Sequence, residues 1–231
     1  DSGKFSIASD GTLTLANSLD YEIKQAYSVT VNASDGTHTA SQGLSISATN
    51  VNEAPTLSST LVASSFPESS VVGTTIATSL ASDSEASTIN WSLSGTDSGK
   101  FNVASDGTVT IGSLLDYETK QAYNVTVNAS DGTYTTSQAL TVTATNVNEA
   151  PSLSSTLAAS SFAESSAVGT IIATFSASDP ESSSISYSLS GTDSGKFSIA
   201  SDGTLTLANS LDYEIKQAYS VTVNASDGTH T

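Results

Sequence analysis

The chain has 231 residues and is strongly acidic, since 23 aspartates and glutamates stand against six lysines and the formal net charge is −17. Nucleic acids and anionic membrane surfaces are bound chiefly through arginine and lysine, so both are excluded as expected partners. The chain has no cysteine, which excludes disulfides, and its apolar runs are too short to predict membrane insertion.

The sequence repeats itself along its length. Residues 1–39 are identical to residues 193–231, and a diverged copy of the same segment occupies residues 97–135. Equivalent positions such as Asp20 and Asp116 are 96 residues apart. A fixed period of this size is typical of a tandem array of similar domains, so function is to be sought in the array.

This period divides the chain into three predicted modules. They are a partial module at 1–55 with only the later strands, a complete module at 56–151, and a partial module at 152–231 without the last strand. Because neither end piece has a full core, each is expected to be completed by another copy, for instance in a head-to-tail filament. The alternative is that the boundaries of this polypeptide carry no structural meaning.

The complete module is predicted to consist of short strands that alternate apolar and polar residues. In chain order, the strands are predicted at 74–80, 89–93, 101–103, 108–111, 123–129 and 140–144. Asp106-Gly107 indicates a hairpin, because glycine adopts positive φ without strain. About seven short strands per module, with no helical stripe, predict an all-β fold of tandem Greek-key β-sandwiches arranged end to end.

Five acidic motifs recur in the same order. The first is Glu68 after Phe66-Pro67, matched by Glu164 after Phe162-Ala163, and the second is Asp83 with Glu85, matched by Asp179 with Glu181. The third is Leu-Asp-Tyr-Glu, with Asp20 and Glu22, Asp116 and Glu118, and Asp212 and Glu214. The fourth is Ala-Ser-Asp-Gly, with Asp35, Asp131 and Asp227, and the fifth is the linker, Asn50 to Pro55 and Asn146 to Pro151. If the negative charge served only to keep the chain soluble, the acids would be scattered along the sequence, whereas here they are clustered.

This set of motifs resembles the cadherin family, specifically its bacterial cadherin-like repeats. The resemblance covers the whole chain and implies calcium ions between successive sandwiches. It implies one site made of Asp20, Glu22, Asn50, Asn52, Glu53, Asp83, Glu85 and Asp131. It implies a second made of Glu68, Asp116, Glu118, Asn146, Asn148, Glu149, Asp179, Glu181 and Asp227. Glu164, Asp212 and Glu214 are the equivalent acids of the last module.

The available ligands agree with calcium, which is bound by about 6–8 oxygens. Zinc prefers histidine or cysteine, and the two histidines, His38 and His230, are one position in equivalent modules. Asn50 and Asn146 replace the aspartates usual in the family, which removes charge. We therefore expect one to three ions per junction, with dissociation constants of about 10⁻⁴–10⁻³ M.

Several residues have a plain structural explanation. Asp106 is expected to form a turn, and the acid before glycine at Asp131 could do the same instead of binding metal. Trp91 is predicted to be a core aromatic, with a sugar platform as the alternative. Paired carboxylates occur in glycosidases, but here the same pairs recur in every module, so no enzymatic function is expected.

The leading functional hypothesis is a calcium-stiffened stalk of a bacterial surface adhesin, located outside the cell. Near-identical copies suit a spacer whose length is set by repeat number. The alternative is a binding module for surface polysaccharide or for other copies of itself in cell–cell contact. An ice-binding face is a third possibility, but the Thr-x-Thr rows are short.

Overall fold

The computed structural model describes residues 1–157 and 161–231. Over these ranges the chain consists of strands and loops, with short 3₁₀ turns at Ser2–Lys4, Ser98–Lys100 and Ser194–Lys196. Within the same ranges, no helix combines the length and the apolar character needed to cross a membrane. The expected all-β class is confirmed.

The chain forms two compact units. The first contains residues 1–66, 70–115 and 122–143, and the second contains residues 67–69, 116–121 and 144–231. The acids Glu68, Asp116 and Glu118 of the complete module therefore belong to the second unit. The module boundaries at 55/56 and 151/152 divide the chain differently and stay predictions.

Thirteen strands begin in the first unit, and two of them, β6 and β13, end in the second. They are β1 Phe5–Ile7, β2 Leu13–Leu15, β3 Ala26–Ser34, β4 Thr39–Ser47, β5 Thr56–Leu57, β6 Ser64–Pro67, β7 Thr75–Thr78, β8 Ala81–Ser82, β9 Asn90–Ser94, β10 Phe101–Val103, β11 Thr108–Ile111, β12 Ala122–Ser130 and β13 Thr135–Thr145. These strands pair in antiparallel ladders: β1 with β2, β3 with β4, β5 with β8, β7 with β11, β10 with β11, β12 with β13 and β9 with β12.

The middle strands form the predicted sandwich. One sheet has the order β10-β11-β7, the other has the order β6-β13-β12-β9, and β5 pairs with β8. The chain passes between the two larger sheets after β9 and again after β11, which is the Greek-key connection. The rings of Phe101 and Tyr123, one from each sheet, meet edge to face with centroids 6.3 Å apart.

The buried side chains follow the predicted alternation. On β12, Tyr123, Val125 and Val127 are buried, whereas the residues between them are exposed or half-buried. Leu140, which pairs with Val125 from β13, is buried as well, as is Ile111 on β11 of the other sheet. This one-sided apolar pattern explains why the sequence forms strands that close over a core.

Gly107 shows why the hairpin between β10 and β11 needs glycine. Its φ is +83°, and a Cβ at this position would lie 2.2 Å from the carbonyl oxygen of Ser79 and 3.0 Å from the ring of Trp91. The Asp106 carboxylate accepts the backbone N–H of Thr108 at 2.9 Å. The structure therefore gives Asp106 the turn role expected from the sequence.

The remaining strands lie in the second unit. They are β14 Ser152–Leu157, β15 Ile171–Ser178, β16 Ser186–Ser190, β17 Phe197–Ile199, β18 Thr204–Leu207 and β19 Thr222–Ser226. They form a sheet of order β14-β15-β18-β17 and the pair β16-β19.

The first module is two hairpins, β1-β2 and β3-β4. Its apolar face is open: Leu15 is 58% exposed and Leu44 39%, whereas their counterparts Ile111 and Leu140 are 0% and 2% exposed. Burial of these positions therefore depends on strands that the described part of the first module does not contain.

Candidate metal centre

The first acid cluster consists of Glu22, Glu53 and Glu85 and lies in the first unit. One carboxylate oxygen of each lies within 4.8 Å of those of the other two. Glu22 follows β2, Glu53 lies in the segment between β4 and β5, and Glu85 follows β8. The cluster thus joins two predicted modules and the linker between them.

A tight turn after β8 carries Glu85 and the neighbouring acid Asp83. Oδ1 of Asp83 accepts the backbone N–H groups of Glu85 at 3.1 Å and Ser87 at 3.0 Å. Ala86 takes a φ of +58° in this turn. These bonds occupy only one oxygen of Asp83, so Oδ2 of Asp83 and Oε1 of Glu85 are buried with no hydrogen-bond partner among the described residues.

The electrostatics of the first cluster show strain between like charges. A hydrogen bond with Glu85 is the largest cause that raises the pKa of Glu53 to about 7, followed by burial and by the negative charges of Glu85, Glu22 and Asp20. One carboxyl group of the cluster therefore tends to hold a proton near neutral pH unless a cation replaces it.

The linker is also tied to the next module through an amide. Nδ2 of Asn52 donates to Oδ2 of Asp131 at 2.7 Å, across 79 residues of sequence. Oδ1 of Asp131 accepts the backbone N–H groups of Thr133 and Tyr134, both at 2.6 Å. The N–H of Tyr134 and then the amide of Asn52 lower the pKa of Asp131, so this acid stays ionised while it forms the turn.

The first cluster does not contain all the residues predicted for it. The structure places Asp83 and Asp131 in the turns just described. The Asp20 carboxylate accepts the N–H of Ile23 at 2.8 Å and does not belong to the three-acid group. Asn50 is exposed, and no hydrogen bond of its side chain occurs among the described residues. Its role as a ligand stays a prediction.

The second acid cluster lies in the second unit and has two overlapping groups. Glu68, Asp116 and Glu118 form one, and Glu118 shares the other with Glu149 and Glu181, again with oxygens within 4.8 Å. The pKa of Glu118 is raised first by burial and then by its acidic neighbours, including Glu68. Burial followed by the charges of Glu68 and Glu181 raises the pKa of Glu149.

Glu68 is the most enclosed acid in these groups, with 4% of its surface exposed. Its Oε2 accepts the backbone N–H of Tyr117 at 2.6 Å, and its Oε1 accepts that of Val147 at 2.7 Å. The carboxylate therefore bonds the acidic loop after β11 to the linker that follows β13. Both of its carboxylate oxygens therefore have a backbone hydrogen-bond donor.

The turn that carries Glu181 repeats the one that carries Glu85. Oδ1 of Asp179 accepts the N–H of Ser183 at 2.9 Å, and Ser182 has a φ of +59°. Oδ2 of Asp179 and Oε1 of Glu181 are buried without a hydrogen-bond partner within the described ranges. Equivalent sequences therefore produce the same free oxygens in both units.

The second linker has an additional contact. Nδ2 of Asn148 lies 2.5 Å from Oδ2 of Asp227 and 2.8 Å from Nδ1 of His230. The amide of Asn148 is the first cause that lowers the pKa of Asp227, followed by the backbone N–H of His230. Asn146 is exposed, and its predicted role as a ligand stays a prediction.

A third acid cluster, Glu164 with Asp212 and Glu214, lies in the second unit. Glu164 is exposed and accepts the N–H of Tyr213 at 2.9 Å. It corresponds to Glu68 but has no counterpart of the Val147 donor within the described residues.

The donor set fits a hard divalent cation. Every buried atom without a partner in these clusters is a carboxylate oxygen, as are the closely spaced atoms of each group. Hard cations such as calcium are bound by oxygen, whereas an uncompensated buried carboxylate is costly. The free oxygens of Asp83, Glu85, Asp179 and Glu181 are therefore the atoms best suited to hold it.

The sequence interpretation missed the tyrosines that hold two acidic loops in place. The hydroxyl of Tyr27 donates to the carbonyl oxygen of Asp20 at 3.1 Å and accepts its N–H at 3.2 Å, and Tyr219 makes the same pair of bonds with Asp212. The sequence offers a signal for this, because a tyrosine follows the aspartate by seven residues in each module. Tyr213, which lies between Asp212 and Glu214, is by contrast 59% exposed.

Comparisons of the sequence and of the structure with known proteins find relatives of the same kind. A family model described as cadherin domain matches residues 63–150 and 159–231. The chain is 33% identical over 233 residues to human Cadherin EGF LAG seven-pass G-type receptor 1, which covers 95% of the chain and 8% of that relative. It is 29% identical over 236 residues to mouse Protocadherin Fat 4, covering 94% of the chain and 5% of the relative.

A solved structure of Protocadherin Gamma B7 extracellular cadherin domains 1-4 is 25% identical, with a TM-score of 0.55, and the match covers 96% of this chain and 59% of that one. The chain spans less than a tenth of the two curated relatives just named. Since the family model matches well over half of the residues and the strands form the same Greek-key sandwiches, the chain belongs to the cadherin family.

Proposed function

We propose that this chain is a spacer segment of an extracellular adhesion protein, in which calcium held at the acid clusters stiffens the links between consecutive cadherin domains. Supporting this, each cluster combines acids that are far apart in sequence. In the first, Glu22 belongs to one predicted module, Glu53 to the linker and Glu85 to the next module, yet their oxygens lie within 4.8 Å.

The observation that carries the proposal is the free oxygens of that cluster. Oδ2 of Asp83 and Oε1 of Glu85 are buried and have no hydrogen-bond partner among the described residues. The pKa of Glu53 is raised to about 7, mainly through Glu85, which indicates that the cluster is short of positive charge. The folded chain holds these carboxylates close together, so a cation that binds them in this arrangement stabilises the folded state.

A bound calcium ion would supply two positive charges and positions for about 6–8 oxygen ligands. Glu22, Glu53 and Glu85 would hold it in the first unit, with Asp83 adjacent. Glu118, Glu149 and Glu181 would do so in the second, with Asp179 adjacent. Without compensation the carboxylates repel one another, so the linker residues Glu53 and Glu149 lose their preferred position and the links become flexible.

A bacterial cell surface remains the proposed location on composition alone, because the chain lacks cysteine and repeats a 39-residue segment without change. The relatives named above come from mouse and human. The proposed stiffening by calcium does not depend on whether this chain is bacterial. The solved Protocadherin Gamma B7 relative consists of extracellular cadherin domains, which supports the proposed compartment.

The test is a calcium titration of the whole 231-residue chain. At calcium tenfold above the dissociation constant, each site stabilises the folded state by about 1.4 kcal/mol. For a domain of about 100 residues this raises the melting temperature by roughly 6–11 °C. X-ray scattering measured alongside should show a narrower spread of dimensions in calcium than in chelator.

Two charge-removing variants separate site binding from general charge effects. Glu85→Gln removes an oxygen from the first cluster and should reduce the calcium response, whereas Asp106→Asn removes the same charge from an exposed hairpin and should leave it unchanged. Identical scattering and melting in calcium and chelator would refute the proposal.

A further inference from the structure

All six lysines of the chain occupy two repeated positions outside its strands. One set ends the turns of sequence Asp-Ser-Gly-Lys, and the other set follows the glutamate of Leu-Asp-Tyr-Glu by two residues. The first set is Lys4, Lys100 and Lys196, and the second set is Lys24, Lys120 and Lys216. The permanent positive side-chain charges of this acidic chain therefore flank the loops that carry the candidate calcium ligands.

The first set fixes the backbone just ahead of each acidic motif. The Nζ atom of each lysine donates to the carbonyl oxygen of the residue two positions before the aspartate of Leu-Asp-Tyr-Glu. These bonds join Lys4 to Ser18 at 2.7 Å, Lys100 to Leu114 at 2.8 Å and Lys196 to Ser210 at 2.7 Å. Because the bond recurs in all three modules, it is a property of the repeat.

The second set fixes the other end of the acidic loop. In the last module the Nζ atom of Lys216 lies 2.6 Å from Oδ1 of Asp193, the residue that begins the Asp-Ser-Gly-Lys turn. Oδ2 of the same carboxylate accepts the N–H of Ser220 at 2.7 Å. The first module repeats both contacts, from Lys24 at 2.6 Å and from Ser28 at 2.8 Å to Asp1. In these two modules, one turn thus holds both ends of the loop.

A tyrosine connects this ion pair to the acidic motif. The Nζ atom of Lys24 lies 5.4 Å from the ring centroid of Tyr27, and the Tyr27 hydroxyl bonds to the backbone of Asp20. Lys216 lies over the ring of Tyr219 in the same way, at 5.7 Å. A cation over an aromatic face is attracted to it. The ammonium group therefore helps to orient the ring that holds the acidic loop.

The lysine charges are directed away from the acid clusters. Lys24 is two residues from Glu22, yet its ammonium group bonds to Asp1, which belongs to no three-acid group in the described part of the chain. Over the same residues, neither Lys4 nor Lys24 forms an ion pair with an acid of the first cluster. A lysine that reached those carboxylates would compete with a metal cation for the same oxygens.

We propose that the Asp-Ser-Gly-Lys turn and the lysine after Leu-Asp-Tyr-Glu are positioning residues for calcium binding, an inference that rests on the proposed function. For the first cluster they are Asp1, Lys4 and Lys24, which act on the loop that carries Asp20 and Glu22. They hold this loop in one conformation before the ion binds, and they keep the ammonium group away from the carboxylates. The calcium affinity is higher as a result, because less conformational freedom is lost on binding.

Removal of Lys24 distinguishes positioning from plain electrostatics, because the two effects have opposite signs. Lys24→Met removes a positive charge close to the first cluster, and Coulomb attraction alone would then make calcium bind more tightly. Loss of positioning should instead weaken binding about three- to fivefold, at a salt concentration of about 0.15 M that screens distant charges. Lys24→Arg keeps the charge and the ion pair with Asp1, so it should stay within about twofold of wild type.

A calcium titration of the whole 231-residue chain, followed by ¹H–¹⁵N NMR, measures the two clusters separately. The amide signals of Glu53 and Glu85 report on the first cluster, and those of Glu149 and Glu181 report on the second. Lys24→Met should weaken binding at the first cluster and leave the second unchanged, so each molecule contains its own control. Spectra recorded in chelator show that each variant is folded.

Two further variants complete the test. Asp1→Asn removes the partner of Lys24, so the double variant should bind calcium no more weakly than the weaker of the two single variants. Lys4→Met removes the bond to Ser18 and should also weaken the first cluster, which keeps the test available if Lys24→Met does not fold. The positioning role is overturned if wild type responds to calcium and the lysine variants bind it equally or more tightly. A wild type without any calcium response would refute calcium binding itself, and this inference with it.

Discussion

The replacement Glu68→Gln tests whether the enclosed acid of the second cluster is held by its two backbone donors. The amide keeps the size of the side chain but has only one acceptor oxygen, so it faces either Tyr117 or Val147 with an N–H group instead of an oxygen. One charge-assisted hydrogen bond is lost and the other becomes a neutral one. Hydrogen bonds to charged groups contribute about 1.5–3 kcal/mol and neutral ones about 0.5–1.5 kcal/mol.

These values predict that Glu68→Gln lowers the free energy of unfolding by about 2–4 kcal/mol. For a urea dependence of about 2 kcal/mol per molar, the midpoint falls by roughly 1–2 M. The chain has a single tryptophan, Trp91, on β9, in the same sheet as β6 and β13. Its fluorescence in chelator therefore follows unfolding of the sheet that flanks Glu68, without a contribution from bound metal.

Glu118→Gln is the matched control, because it removes the same charge from the same cluster. The Glu118 side chain is exposed, and the backbone hydrogen bond that acts on its carboxylate comes from its own N–H group, so it does not join distant segments. Its replacement relieves repulsion and should leave stability within about 0.5 kcal/mol of wild type or slightly above it. Equal destabilisation by both variants, or an unchanged midpoint for Glu68→Gln, would refute the reasoning.

Three further outcomes are expected. Gly107→Ala should lower the free energy of unfolding by more than about 2 kcal/mol, because its Cβ would lie 2.2 Å from a carbonyl oxygen. Gly11→Ala, with φ +87° and nothing within 4 Å of its Cβ, should lower it by about 1 kcal/mol. Equal losses in urea unfolding would count against this. Asn52→Ala should reduce the calcium affinity several-fold, measured by calorimetry, since it removes the 2.7 Å hydrogen bond from the Asn52 amide to Asp131 that fixes the linker. An unchanged affinity would show that this hydrogen bond is dispensable. The pKa of Asp193 is lowered first by the hydrogen bond from Lys216, at 2.6 Å, so its contribution to stability is present above the unfolded-state pKa and disappears as pH falls through the folded-state pKa. Lys216→Met should flatten the acid side of the stability profile of the last module, and a profile of unchanged slope would contradict the assignment.

The strands could be predicted from sequence because their signals are local. Alternation of apolar residues over 123–129 predicts the buried face of β12, and Asp106-Gly107 predicts the adjacent hairpin. The predicted strand at 74–80 is shorter in the structure, where β7 spans Thr75–Thr78, because Ser79 bonds through its N–H to Gly107 outside the ladder. Such boundaries depend on the partner strand and not on the segment alone.

The membership of the acid clusters was only partly predictable. The five motifs name the acids, but Glu53 and Glu85 are 32 residues apart, and their approach depends on how the linker crosses the turn after β8. Sequence also gives no reason why Oδ1 of Asp83 accepts two N–H groups while Oδ2 accepts none. These are consequences of packing between distant segments.

The amino-acid sequence by itself determined the 96-residue period, the all-β class and the set of candidate oxygen ligands, because repeats, two-residue alternation and residue chemistry are all local properties. Only the tertiary structure decided that Glu22, Glu53 and Glu85 bring their carboxylate oxygens within 4.8 Å of one another. The physical reason is that the approach of acids far apart in sequence depends on how the linker packs against the turn after β8, and no local pattern encodes that packing.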